Sequence, residues 1–376
     1  MNTKVLHICL HSFRSSSRVI KESITLSENN YNVDIYAIHE DGLKEFEKIN
    51  NINVYRKRLK TKNLPKNKFF QLLKYFEFSF KFLKIINNYD FLHIHGLTSL
   101  PLAMFLKIKN KKIKIIYDCH EYETERDNMT ILKKYIYRRI EKFFIYYCNF
   151  TITVSNSIML EYQKLYNISN LETVYNTPFY SKNIVSNIFR EKFKISPDYK
   201  IYIYQGRFAN ARGIEKYIEV FKQLKNSKCC LILMGYGPLI KTVQEAVNNN
   251  ENIFYQEAVT LDEIHKYTSS ADYGLNVTNN TCLSRYYALP NKLFEYVMAR
   301  IPLIVSNDYE RGNFVKNKKI GFVTKDTELK SIKDVIIKSL NYDKSFFLEN
   351  LNKVAKEYNW NLESKKLINI YSNLKV

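Results

Sequence analysis

The run Ile201-Tyr202-Ile203-Tyr204-Gln205-Gly206-Arg207 decides the fold of the second half of the chain. Its β-branched and aromatic residues read as a buried strand that closes on a glycine and an arginine. Arg212-Gly213 then opens a helical pattern, giving a strand, a short loop and a helix. Further apolar runs follow at residues 229–234, 253–256, 273–277, 303–306 and 321–324, with helical segments between them. One of those helices is announced by the capping-box spacing Thr260-x-x-Glu263. Upstream, the same alternation predicts strands at 5–11, 33–39, 52–56, 91–95, 113–118, 151–154 and 172–175, and a helix over 17–29. Such β–α alternation implies parallel sheets covered by helices. Two Rossmann-like α/β domains are expected, over 1–180 and 195–350, separated by the polar stretch 178–197. A helical tail over 351–376 carries the single Trp360, read as a packing residue.

The chain has 376 residues, enough for two cores. Hydrophobic residues make up 45% and charged residues 25%, which excludes disordered and fibrous classes. Lys and Arg number 58 against 37 Asp and Glu, a formal charge of +21. An anionic partner is implied: a phosphorylated ligand, a nucleic acid or an acidic membrane surface. The six cysteines form no C-x-x-C pair and the first residues read as a strand rather than a secretory signal, so a reduced, cytoplasmic protein is expected. The most hydrophobic stretch, residues 69–86, contains Lys74, Glu77, Lys81 and Lys84, which rules out a membrane span.

The chain has 9 glycines, so few that the place of each is informative. Gly206, Gly213, Gly235 and Gly237 crowd into one short segment. Glycine permits close backbone approach, and the open amides of a helix start attract phosphate. Arg207 and Arg212, on one loop, can grip a diphosphate with forked hydrogen bonds. Gly235-Tyr236-Gly237-Pro238 follows a strand, at the end where open α/β sheets bind ligands. Pro290-Asn291-Lys292-Leu293-Phe294-Glu295-Tyr296 reads as a helix start with Pro in its first turn. Lys292 adds charge to that start, and Glu295 beside a phosphate site fits a carboxylate that accepts from a ribose diol.

These segments, in this order and together with Ala271-Asp272-Tyr273-Gly274-Leu275, resemble the retaining, GT-B-fold glycosyltransferases of family 4. In the first half, Tyr117-Asp118-Cys119-His120-Glu121 is similar to the family's strand-end D-x-H-E segment. The tail from Tyr358-Asn359-Trp360 to Ile370-Tyr371 is similar to a closing helix that crosses back onto the first domain. The resemblance implies two Rossmann-like domains facing each other across a cleft, with donor on the second, acceptor on the first, and transfer of a hexose-type sugar with retained anomeric configuration. Its donor would be a nucleotide sugar, UDP first and GDP next, with no other cofactor. Catalytic roles would fall to His120, Glu295, Arg207 and Arg212: the arginines neutralise the leaving diphosphate, Glu295 holds the ribose and His120 hydrogen-bonds the donor sugar. Gly206, Gly235, Tyr236, Gly237, Tyr287, Pro290, Asn291, Lys292 and Leu293 would complete the donor site. Tyr287 stands where the family has a second acid against the transferred sugar, which leaves the sugar's identity open. Arg300 replaces a usual glycine before Pro302, read as a structural variation.

The first loop lacks the glycines of many relatives. Its Arg14, Ser16 and Arg18, together with Glu121, are expected on the acceptor side, the arginines meeting an anionic acceptor. Residues 56–84 and 131–148 interleave Lys and Arg with aromatics, which suits docking on an anionic membrane surface. A peripheral enzyme at the inner face of the plasma membrane follows, passing sugar to a glycan or lipid-linked acceptor in bacterial surface-polysaccharide assembly. Metal is not expected, because no D-x-D pair occupies a strand end. The alternatives are a non-catalytic GT-B scaffold subunit, a sugar-nucleotide 2-epimerase, a phosphoryl-sugar transferase, or a nucleic-acid-binding protein. The last has charge and aromatics in its favour but no helix-turn-helix, zinc or RRM-like signature, so no nucleic-acid partner is expected.

Overall fold

A computed structural model describes residues 3–13, 16–65, 67–83, 89–127, 129–182 and 184–375. The chain forms two compact units, Met1–Val174 with Ser364–Val376, and Tyr175–Glu363. The first holds strands β1 (Lys4–Cys9), β2 (Asn32–Ile38), β3 (Phe46–Ile49), β4 (Ile52–Lys57), β5 (Phe91–His95), β6 (Lys114–Asp118), β7 (Phe150–Thr153) and β8 (Leu171–Thr173). Their order is β3-β4-β2-β1-β5-β6-β7-β8. All pairs are parallel except β3 with β4. β1 from Val5 onward and the whole of β5 are buried, as strands covered by helices on both faces must be. The sheet's order reverses at β1, which lies between β2 and β5, so a crevice opens at the carboxyl ends of β1 and β5.

The second unit repeats this plan with β9 (Lys200–Arg207), β10 (Cys229–Tyr236), β11 (Ile253–Glu257), β12 (Tyr273–Asn276), β13 (Leu303–Val305) and β14 (Gly321–Val323). Their order β11-β10-β9-β12-β13-β14 is the doubly wound arrangement, with the reversal at β9. β9 and β10 pair in register from Cys229↔Lys200 to Tyr236↔Arg207, so the two glycine motifs, apart in sequence, lie side by side. A Cβ on Gly235 would stand 1.9 Å from Gly206 O, and one on Gly237 would stand 2.3 Å from Phe208 O. These glycines let two strand ends close on each other, which places the loops that follow.

Two features depart from the sequence reading. β3 was not expected; it is a half-exposed antiparallel edge strand joined to β4 through Asn50 and Asn51, both at positive φ. The tail is two helices, Leu348–Glu357 and Trp360–Leu374, broken at Tyr358 and Asn359. Trp360 is fully buried and its backbone N–H donates to Pro178 O at 2.7 Å. Arg300 follows the helix Asn291–Met298 with φ 59°, a left-handed position that favours glycine. Hydrogen bonds from its guanidinium to Asn352 Oδ1 and Ser181 O, each 2.9 Å, hold it there.

Candidate active site

At the carboxyl end of the second sheet, three loops meet around β9. Two of the helices they lead into begin without a side-chain cap: Ile214–Gln223 after Gly213, and Asn291–Met298 after Pro290. Arg207 and Arg212 are exposed, and no hydrogen bond or ion pair engages their side chains among the described residues. Lys292 is half-buried; its Nζ lies 3.7 Å from the centre of the Tyr204 ring and 3.5 Å from where a Gly206 Cβ would stand. Burial first, then the charges of Arg212 and Arg311, hold this ammonium well below its usual pKa, against the pull of Glu295. Arg285 donates to Ala211 O at 2.9 Å, tying the loop before Pro290 to the loop that carries Arg212. Arg212, Arg285 and Lys292 thus share one crevice that offers open helix amides, with exposed Arg207 at the adjoining end of β9, an arrangement suited to a multiply charged anion.

Glu295 lies one turn into the Asn291–Met298 helix. Its Oε2 accepts from Gln205 Nε2, and Gln205 Oε1 accepts from Thr268 Oγ1 at 2.7 Å, so the carboxylate is fixed by β9. Arg311 is buried against Asp308 and donates to Thr278 Oγ1 at 2.6 Å, a structural ion pair beneath the crevice. Tyr287 packs with Tyr286 and Tyr309, ring centres 5.4 and 5.9 Å away. Tyr236 and Asn291 are exposed, whereas Leu293 is wholly buried. Leu293 was expected in the donor site, but it packs in the core and its N–H already bonds Pro290 O at 3.0 Å. Arg285, Arg311 and Gln205 were missed, since nothing in their spacing marks them except the Asp308-x-x-Arg311 helical pairing.

In the first unit a buried polar cluster fills the crevice at β1, β5 and β6. Arg18 grips both oxygens of Asp118 at 2.7 Å and donates to Val174 O at 2.8 Å. Asp118 Oδ2 also meets His120 Nε2 at 3.1 Å and His95 Nδ1 at 3.2 Å. His7 Nδ1 lies 3.0 Å from His95 Nε2, and His93 Nδ1 lies 2.9 Å from Tyr371 OH. Burial alone would raise the Asp118 carboxyl, but Arg18 and His120 hold it well below its usual range. Burial and then Asp118 raise Glu22, and burial pulls His95 down to about 4. The spacing His93-x-His95 puts both rings on one face of β5, with His7 opposite His93 in register; that alternation was the available signal for the cluster.

Arg18 was expected to face an acceptor. It is 4% exposed and fully engaged by Asp118, Val174 and, at 3.0 Å, Glu22, so it holds the cluster together instead. Arg14 lies outside the described residues. Ser16 precedes the helix Ser17–Glu28 without capping it, and Glu121 pairs with Arg126 at 3.0 Å. One set of described side chains has the spacing of metal ligands: Glu22, His93, His95 and Asp118, with ligand atoms within 4.8 Å of one another. The guanidinium of Arg18 already stands between the two carboxyl groups and supplies the positive charge a metal would bring.

Comparison with known proteins matches this architecture. Residues 185–358 match the family Glycosyl transferases group 1, and residues 18–177 match Glycosyltransferase Family 4. No curated protein matches the chain in sequence. Among solved structures, sucrose-phosphate synthase from Thermosynechococcus elongatus superposes with a TM-score of 0.79 at 16% identity, covering 99% of both chains. Anabaena HepE, solved in complex with UDP-glucose, gives 0.76 at 11% identity over 98% of this chain and 99% of its own. WaaG, a glycosyltransferase involved in lipopolysaccharide biosynthesis, gives 0.67 at 14% identity over 97% and 99%. With one glycosyltransferase domain in each half and the two-sheet architecture of these neighbours, the chain is a GT-B glycosyltransferase.

Proposed function

We propose that the protein is a retaining hexosyltransferase that draws on a nucleoside-diphosphate sugar, UDP first and GDP next. The observation that carries this reading is the crevice at β9, where Arg207, Arg212, Arg285 and Lys292 surround open helix amides and Glu295 stands fixed by Gln205. In this reading the cations take up charge developing on the leaving diphosphate, an electrostatic task best done by preorganised groups. Glu295 accepts from the ribose hydroxyls, and His120 hydrogen-bonds the transferred sugar. Complexes of HepE with UDP-glucose lend support to UDP as the base.

The acceptor is a glycan or lipid-linked saccharide of bacterial surface-polysaccharide assembly, met at the inner face of the membrane. No helix among the described residues is long and apolar enough to cross a membrane. Peripheral docking is supported by helix Lys68–Leu83, which exposes Phe69, Leu72, Phe76 and Phe80 along one face, and by helix Ile131–Ile145, which exposes Ile131, Leu132 and Tyr135. The second of these carries Lys133, Arg139 and Lys142, and a shallow hollow at its end is lined by Arg139, Lys142, Phe143, Tyr146 and Tyr147. Apolar side chains flanked by cations suit anionic lipid.

A panel of UDP- and GDP-hexoses without added acceptor tests the chemistry, with water offered as the acceptor. Proton NMR of the first sugar released should show the donor's own anomeric configuration, and an inverted product would overturn the retaining assignment. Flotation with anionic vesicles at low salt should recover the protein, and Phe69, Phe76 and Phe80 changed together to Ser should leave it unbound. Equal recovery of that variant would sink the docking proposal.

A further inference from the structure

His120 lies in the loop after β6, and the polar atoms that approach its ring all meet Nε2: Asp118 Oδ2 and His95 Nδ1, each 3.1 Å away. Its Nδ1 has no partner among the described residues and is not buried. Asp118 is completely buried, and Arg18 donates to both of its oxygens. A carboxylate held ionised by a guanidinium accepts and never donates. The hydrogen-bond chain therefore has one direction. His7 Nδ1–H donates to His95 Nε2, His95 Nδ1–H to Asp118 Oδ2, and His120 Nε2–H to the same oxygen; the approach of His95 Nδ1 to His120 Nε2 is then two N–H groups converging on that oxygen, not a hydrogen bond. The neutral state of His95 that this needs agrees with its burial.

We infer that Asp118, clamped by Arg18, is a positioning residue that locks His120 in the Nε2–H form and leaves Nδ1 bare, as the acceptor for a hydroxyl of the sugar substrate. The lock follows from the first unit alone; the identity of the hydroxyl rests on the function proposed above. The device resembles other buried carboxylates that select a histidine tautomer, where the amide replacement keeps geometry and reverses the ring. Here Asn at 118 would keep its Oδ1 toward Arg18 and turn its NH2 to Nε2, forcing the proton onto Nδ1.

The test reads the ring directly. In protein labelled with 15N-histidine, His120 is assigned from the signals lost in His120→Asn. The wild-type ring should show a protonated Nε2 and a bare Nδ1 near neutral pH, and Asp118→Asn should exchange them. A proton on Nδ1 in the wild type, or an imidazolium, overturns the inference, and this spectrum needs neither substrate nor a stable Asp118 variant. With UDP-glucose as the probe, His120→Gln should lose about 10–100-fold in kcat/KM, the worth of one hydrogen bond to a buried partner. His120→Asn, whose Oδ1 falls at the δ position, should keep several-fold more kcat than the Gln variant. The opposite order overturns the assignment of Nδ1. Failure of any nucleotide sugar to bind would defeat the proposed function, while the tautomer would still decide the role of Asp118.

Discussion

Lys292→Met removes one charge from the crevice at β9 while keeping an apolar stem over Tyr204. The ammonium lies 3.7 Å from that ring, already stripped of most of its water and pressed by Arg212 and Arg311. The desolvation that usually offsets a new ion pair is therefore met on folding, before any ligand arrives. A charged hydrogen bond contributes about 1.5–3 kcal/mol, and this site should lie in the upper part, about 2–3 kcal/mol. UDP binding should weaken about 30–150-fold in the variant. A diphosphate would also pull the depressed pKa back up, so binding takes up a proton at pH values between the free and the bound pKa. The sign is definite: affinity is steady below the free pKa and falls up to tenfold per pH unit above it. Titration calorimetry in two buffers with different ionisation heats reads both effects. Unchanged proton uptake in Lys292→Met, or a change in Kd below threefold, would refute the assignment.

Gly235→Ala should destabilise the second unit by about 2–4 kcal/mol, since its Cβ would stand 1.9 Å from Gly206 O at φ 150°. Roughly 5–15 °C should be lost in Tm for a unit of this size, and an unaltered melting curve would contradict the close strand approach. Arg18→Met strands the buried charge of Asp118 and should cost about 3–5 kcal/mol in urea unfolding. Arg18→Met with Asp118→Asn should recover part of that, and a double variant as unstable as the sum of the two singles would deny the coupling. His95 stays neutral in the fold because burial holds it to about 4, whereas an unfolded histidine protonates near ~6.5. Its contribution is intact above that value and is lost as pH falls toward about 4, at most about 3 kcal/mol. His95→Gln should flatten the difference between stability at pH 7.5 and at pH 4.5, and equal wild-type stability at the two would contradict it.

The strands were legible because a parallel sheet buries both faces, so β10 stands out as a long apolar run and β5 as a short one interrupted only by His93 and His95. β3 was not, because Phe46-Glu47-Lys48-Ile49 is half solvated and has no such run. The pair Asn50-Asn51, each at positive φ, is a hairpin signal that could have found it. In the second unit the glycine motifs lie at the carboxyl end of the sheet, as their place after the strands implied, but they are there in part for another reason. Gly235 and Gly237 serve strand closure, and the pairing Tyr236↔Arg207 is what brings the motifs together. Arg285 and Gln205 act through contacts from distant segments, which no local spacing reports. Arg18 shows the limit of reading charge from sequence. An arginine at a helix start looks like an exposed anion receptor, and only the fold reveals Asp118 a hundred residues away, closing over it.

Calorimetric titration of UDP against uridine, on the wild type and on Arg212→Ala, tests the donor site most directly. The base and ribose are common to both ligands, so their difference isolates the diphosphate. The crevice at β9 predicts that UDP binds, that uridine binds at least tenfold more weakly, and that Arg212→Ala removes most of that difference. A folded sample that binds UDP and uridine alike, or an Arg212→Ala variant that still separates them as the wild type does, would contradict a diphosphate held by these cations.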